Sequence, residues 1–550
     1  MTDFIRFYND ILSKKRFWIP LLFFALVGYS FSICNRTVGT DDFFWESHDV
    51  NYMLSGRWGM VVWLKLTGLM HASPFIDRFL AFVLYIIASV LLCFLLYLIG
   101  RKKDVLSYTL TASAFVTYPL INEIWEYTGA DFMVAGNLCL VTISAIAIKS
   151  VSFIRKRLVY ASALLILPMS SYESAIFYYI TLVCVIIFYE QWVCKKYTLT
   201  LKTWAKQLLM YLIPLLIAFI TRFAVSFCIN SICNLEYHGG GATGTAWIRE
   251  SFGYVLKNMI GFVIFDYGIM GLVYLPITVF LISLILFAAC ILLKKGKRMT
   301  CILLGGAILV SLFVQSIIQG YDQPYRTSQV FALFVAFSFY LTIISVSSTA
   351  WRRCLYVVLF AICWHQAVYL NRLLGLNNLR SDNELAVIRQ IGFRLVSEFE
   401  KKPVVFVSPY QVGKWISSQV TVDESTWNGR LFYKVYDNFM MQFDQPFMNY
   451  QRSCTQLEHP FKYVGTNINS MTLQWHNLHA LFSYCGYDIE DIPDNLWNDS
   501  LRYDEYKKMQ KEATKIAKEK NIGPYQIYDH GDYLIVNLGS DLYLDRFFRR

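Results

Sequence analysis

Apolar stretches of about twenty residues recur through the first two thirds of the chain, and the charged residues collect in the short connections between them. A hydrocarbon core of about 30 Å takes roughly 20 apolar residues to cross as helix. Open sheets cannot cross it, because their backbone edges would stay unsatisfied. At least nine segments reach or approach that length, so the pattern predicts a polytopic α-helical membrane protein. Eleven crossings follow, at about 17–34, 74–99, 105–121, 132–150, 158–169, 174–192, 207–230, 270–293, 300–318, 328–348 and 354–370.

The charges orient these crossings. Lys14, Lys15 and Arg16 precede the first one. Basic groups recur at Arg101 to Lys103, Arg155 to Arg157, Lys195 and Lys196, Lys294 and Lys295, and Arg352 and Arg353. They follow every second crossing, while acids gather mainly at the opposite ends. Because Lys and Arg are retained on the cytoplasmic side, this predicts a cytoplasmic N-terminus and an extracytoplasmic tail from about residue 371. Two outer segments, 48–70 and 247–265, mix charges with Trp, Val and Phe and read as amphipathic helices lying on the bilayer surface.

The tail has a different rhythm. Charges become frequent, and short β-rich runs appear at 403–407 and 533–537. Residues 503–520 have helical composition. The expected fold is therefore an all-α polytopic membrane bundle of about 11 transmembrane helices over residues 1–370. An extracytoplasmic, soluble α/β domain over 371–550 follows it, long enough for a core of its own.

Composition sharpens the picture in two respects. The 550 residues are 56% hydrophobic and only 16% charged, against about 25% charged in globular proteins. The net charge of +11 would suit nucleic acid in a soluble protein, but here the cations sit in topology-setting loops, so no nucleic-acid partner is expected. The thirteen cysteines lie mostly in apolar segments without metal-ligand spacing. No phosphate-binding glycine loop, dinucleotide fingerprint or zinc motif is visible; His238 beside Gly239, Gly240 and Gly241 lacks further ligands.

Candidate chemistry lies in the outer connections. Asp41 and Asp42 follow the first crossing and are embedded among Phe43, Phe44 and Trp45. A carboxylate at an apolar rim is suited to general base work, and one acid of the pair would act while the other orients or binds. Arg57 and Trp58 come next, within a Ser55-Gly56-Arg57-Trp58 run. Arg57 is either a snorkelling arginine or a guanidinium near Asp42 that fixes the loop or binds an anionic substrate group. Glu123, Glu126 and Asp131 crowd the connection between the third and fourth crossings, with Glu126 assigned to substrate. Tyr172 and Glu173 end a short crossing, which places an acid within the bilayer thickness, a functional signal by default. Tyr325 and Arg326 open the tenth crossing on the side where cations are disfavoured, and a phosphate is the natural partner for such a guanidinium. No cofactor is called for, and a role for a divalent metal stays open.

Asp41 and Asp42, then Ser55 to Trp58, then Ser171, Tyr172 and Glu173, resemble the bacterial type II glucosyl transferases that modify O-antigen, members of the wider GT-C group of membrane glycosyltransferases. The resemblance covers roughly residues 15–370. It implies inverting transfer of a sugar, usually glucose, from a polyprenyl-phosphate donor to a surface polysaccharide, with Asp41 and Asp42 in the catalytic place. It also implies a plasma-membrane location, and a donor synthase and a flippase as pathway partners. A transporter or flippase of lipid-linked sugars would share the helix bundle but would need charges near the bilayer midplane. A polysaccharide ligase or polymerase would favour a long outer loop rich in Arg and His.

Overall fold

A computed structural model of the chain describes residues 2–35, 53, 56–68, 74–119, 124–125, 129–193, 201–233, 246–266, 275–294, 298–320, 327, 329–407, 482–483, 485–489, 500–523 and 525–538. These fall into two compact units, one running to Leu374 and one from Gly375 onward.

The first unit is helical. In chain order it contains α1 (Thr2–Phe7), continued by a π-helical turn over Tyr8–Leu12, then α2 (Lys15–Cys34), α3 (Trp58–Thr67), α4 (Pro74–Gly100), α5 (Val105–Thr117), α6 (Asp131–Ser150), α7 (Ile154–Ser171), α8 (Ser174–Val193) and α9 (Leu201–Cys233). It continues with α10 (Ala246–Arg249), α11 (Phe252–Asp266), α12 (Leu275–Leu293), α13 (Arg298–Leu312), α14 (Val314–Gln319), α15 (Gln329–Ser345) and the first part of α16 (Thr349–Glu398). Ten of the eleven expected crossings each fall on one of these helices, and the expected crossing at 300–318 is divided between α13 and α14. Among the described residues, six helices are long and apolar enough to cross a membrane: α2, α4, α6, α8, α9 and the start of α16. Four more (α5, α12, α13 and α15) are apolar but shorter, and α7, whose start carries Arg155, Lys156 and Arg157, falls in neither group.

Burial sorts the helices into interior and periphery. Every residue of α8 is buried or half-buried, and α15 is buried from Gln329 through Ile343. α9 instead exposes Leu216, Ile220, Phe223 and Phe227 along one face. An apolar face turned outward is what a helix in contact with lipid requires. Tyrosine hydroxyls tie the interior together: Tyr340 on α15 meets Tyr189 on α8 at 2.9 Å and Tyr108 on α5 at 3.1 Å.

The two segments expected to lie on the bilayer surface behave differently. Over 247–265 the expectation fits, since Phe252, Leu256 and Ile260 are exposed on one face of α11 at four-residue spacing. Over 48–70 the described part is revised. α3 packs inward against α7, burying Gly59, Met60, Val61 and Leu64.

The second unit holds the end of α16, β1 (Val404–Val407), α17 (Ser500–Glu519), β2 (Ile527–Asp529) and β3 (Leu534–Asn537). The strand order is β1-β3-β2, with β1 parallel and β2 antiparallel to β3. Strand alternation sends Val404 and Phe406 to one face, against Ile388, Ile391 and Leu395 of α16. Val405 and Val407 point to the other, against Ala513 and Ala517 of α17. Because both faces are covered, the central strands read as continuous apolar runs, which made them legible in the sequence.

Candidate functional site

Gly56 adopts φ +70°, a left-handed conformation that suits glycine, and so turns the chain into Arg57, the residue that precedes α3. On the other side, α7 ends at Ser171 and Tyr172 is extended, leaving Glu173 in the break before α8. These two chain reversals meet. Arg57 donates from Nε to Glu173 Oε1 at 3.3 Å and from Nη2 to Oε2 at 3.0 Å, a two-pronged ion pair. The guanidinium also lies 5.3 Å from the centre of the Tyr172 ring.

Close approach of the two segments depends on Gly59. A Cβ there would stand 2.6 Å from Ser171 Oγ, 2.7 Å from the Ser170 carbonyl carbon and 2.8 Å from Leu167 O. Trp63, one turn further along α3, donates from its indole to Asn137 Oδ1 on α6 at 3.0 Å. The glycine side and the indole together fix α3 on α6 and α7.

A third element completes the cluster. Arg222 of α9 donates from Nη2 to Glu173 Oε1 at 3.1 Å, and its backbone carbonyl accepts from the Trp58 indole at 3.4 Å. One carboxylate therefore serves two guanidiniums. The Arg57 and Glu173 side chains are each 29% exposed and that of Arg222 10%, so the cluster sits at a rim. Planar guanidiniums placed side by side are the groups that donate to a carboxylate or phosphate oxygen in pairs.

Of the residues singled out from sequence, Arg57, Trp58, Tyr172 and Glu173 come together here. The sequence reading that sets Arg57 near Asp42 falls on a residue outside the described ones; among the described residues Arg57 meets the carboxylate of Glu173, 116 positions on. Asp41, Asp42, Glu126, Tyr325 and Arg326 lie outside the described residues. Arg222 was missed. Its signal was an arginine inside the apolar run 206–233, where a cation is costly enough to demand a partner. Among the described residues, no group of three or more His, Cys, Asp or Glu could hold a metal ion.

A second charged group is buried nearby in sequence terms. Asp77 and Arg78, in the first turn of α4, and Asp131, at the start of α6, are at most 2% exposed. Asp77 Oδ2 accepts from the Gly129 amide at 2.7 Å, and Asp131 Oδ1 accepts from the Phe132 amide at 2.7 Å.

The apolar spans and their burial pattern define a multi-helix membrane protein that holds a partly exposed Arg57–Glu173–Arg222 cluster. A family model described as glucosyl transferase GtrII matches residues 9–343. The chain belongs to that family, and it is a glycosyltransferase. No curated protein and no solved structure matches the chain.

Proposed function

We propose that the protein transfers glucose from a polyprenyl-phosphate donor to a cell-surface polysaccharide at the extracytoplasmic face of the plasma membrane, with inversion at the sugar. The observation that carries this reading is the Arg57–Glu173–Arg222 cluster, two guanidiniums meeting at one carboxylate beside the lipid-suited face of α9. A donor whose leaving group is a lipid phosphate needs cationic donors next to an apolar surface. Phe219, Ile220 and Phe223, all exposed, flank Arg222 on its helix and supply such a surface.

In this mechanism Asp41 or Asp42 takes the proton from an acceptor hydroxyl as its oxygen forms a bond to the anomeric carbon. The bond from that carbon to the phosphate oxygen breaks, through a transition state with oxocarbenium character. Negative charge grows on the departing polyprenyl phosphate, and donors placed where charge develops lower the barrier. Arg57 and Arg222 serve that purpose, with Arg326 as a further cation from the tenth crossing. A donor synthase on the cytoplasmic side and a flippase supply the substrate.

Surface-glycan analysis of cells with and without the protein tests the reaction: glucose attached to the polysaccharide should depend on the protein. Asp41→Asn and Asp42→Asn address the base. At least one should lower transfer by about 10²–10⁴-fold while membrane insertion is kept. Parental rates in both variants would remove the acid pair from the mechanism.

A further inference from the structure

Helix α2 ends at Cys34, seven residues before Asp41, and the structure shows what holds that end. Its last carbonyls lack intrahelical partners, as at any helix C-terminus. Arg78 Nη1 donates to Ser32 O at 3.0 Å and also to Asn35 O. Asn35 adds a cap of its own, with its backbone amide and Nδ2 both donating to Phe31 O at 3.0 and 2.8 Å. A guanidinium at a helix C-terminus also meets the negative end of the helix dipole.

Burying a guanidinium to 2% exposure is costly unless its charge is offset. Asp131 lies close enough to Arg78 and Asp77 for their charges to act on its carboxyl. Asp77 in turn is fixed by the Gly129 amide. The start of α4, the start of α6 and the end of α2 are thereby joined at one point. Around it, Tyr29 of α2 packs 4.4 Å from Trp125 and donates to Val116 O of α5 at 2.8 Å, so the turn below the cap is also fixed.

We propose that Arg78 is a positioning residue for the segment carrying Asp41 and Asp42: by capping α2 it fixes Asn35, the residue from which the chain runs on to them. This rests on the reading of those acids as the catalytic pair. Geometry explains why a cap matters there. Unwinding one helical turn would add about 7 Å of slack to the stem, from the difference between extended and helical rise. A misplacement of about 1 Å in a reacting group can already cost 10²-fold in rate.

The test uses the full chain in lipid vesicles with polyprenyl-phosphate glucose, comparing Arg78→Gln and Arg78→Lys. Arg78→Gln should lower kcat by about 10²-fold with the donor KM unchanged, and Arg78→Lys, which keeps a charged donor, should recover most of the loss. Cys34, exposed in the last turn of α2, provides a readout independent of activity. Its alkylation by a maleimide should accelerate in Arg78→Gln, while that of the exposed Cys228 and Cys354 stays at the parental rate. Unchanged kcat, or a rise in KM alone, would overturn the positioning role. If Arg78→Gln does not fold, Arg78→Lys decides: a kcat near parental with parental Cys34 reactivity supports the cap, and loss of activity with parental Cys34 reactivity refutes it. A parental chain that transfers no sugar would instead fail the donor reading, and the Cys34 rate alone would then judge whether Arg78 holds the stem.

Discussion

Arg57 and Glu173 form a two-pronged ion pair across 116 residues of sequence, and the same carboxylate also accepts from Arg222. Glu173 is thus the junction of α3, α9 and the break between α7 and α8. Removing its charge should leave the two guanidiniums close together without the carboxylate they share.

Glu173→Gln should therefore destabilise the protein by about 1–3 kcal/mol, below the 3–5 kcal/mol of a fully buried pair because the side chain is partly exposed. Thermal unfolding in detergent measures this. Arg222→Gln should cost less in the Glu173→Gln background than in the parent, since its partner is already gone. Additive losses would show that the two side chains are not coupled.

Gly59→Ala should be destabilising by about 1–3 kcal/mol, because its Cβ would meet backbone atoms of Leu167 and Ser170 that cannot swing aside. Gly253→Ala is the matched control. Nothing lies within 4 Å of a Cβ at that helical position, so the change should be neutral or stabilising by roughly 0.4–1 kcal/mol. Equal melting temperatures for the two variants would contradict the close packing of α3 on α7.

Acid should loosen the N-terminal segment. The Tyr97 hydroxyl donates to Asp10 Oδ2 at 2.6 Å and Lys103 pairs with Oδ1 at 3.2 Å. The Tyr97 hydrogen bond, followed by the Lys103 contact, holds the Asp10 carboxyl below its ordinary value against the opposing cost of burial. A depressed folded-state pKa stabilises above the unfolded value and is lost as pH falls through the depressed one. Hydrogen exchange over residues 2–12 should hence accelerate below the usual carboxylate range, and Asp10→Asn should remove that part of the response. An acid response identical in the variant would assign it to other groups.

Much of the architecture was legible in the sequence. The expected crossing at 158–169 is α7, Ile154–Ser171, and the expected strands at 403–407 and 533–537 are β1 and β3. The site was legible only in pieces. Tyr172 and Glu173 stood out because a short apolar run ended on an acid, and Arg57 because a cation followed a glycine turn. Their mutual pairing was not visible, since nothing near Arg57 in sequence points to position 173. The 48–70 segment misled for a related reason: a helix with Trp and Val on one side reads alike whether that side meets lipid or protein. Gly59 and the Trp63 indole decide for protein.

Sequence by itself determined the membrane class, the helical spans and the strands of the tail, because burial in lipid or in a covered sheet imposes a local run of apolar residues on each element. Tertiary structure decided which charges meet. Glu173 takes Arg57 from 116 residues before it and Arg222 from 49 after it. Arg78 caps a helix that ends 43 residues earlier, at Asn35. Such pairings follow from how helices pack, and a guanidinium in a low-dielectric bundle takes whichever oxygen the packing brings within about 3 Å.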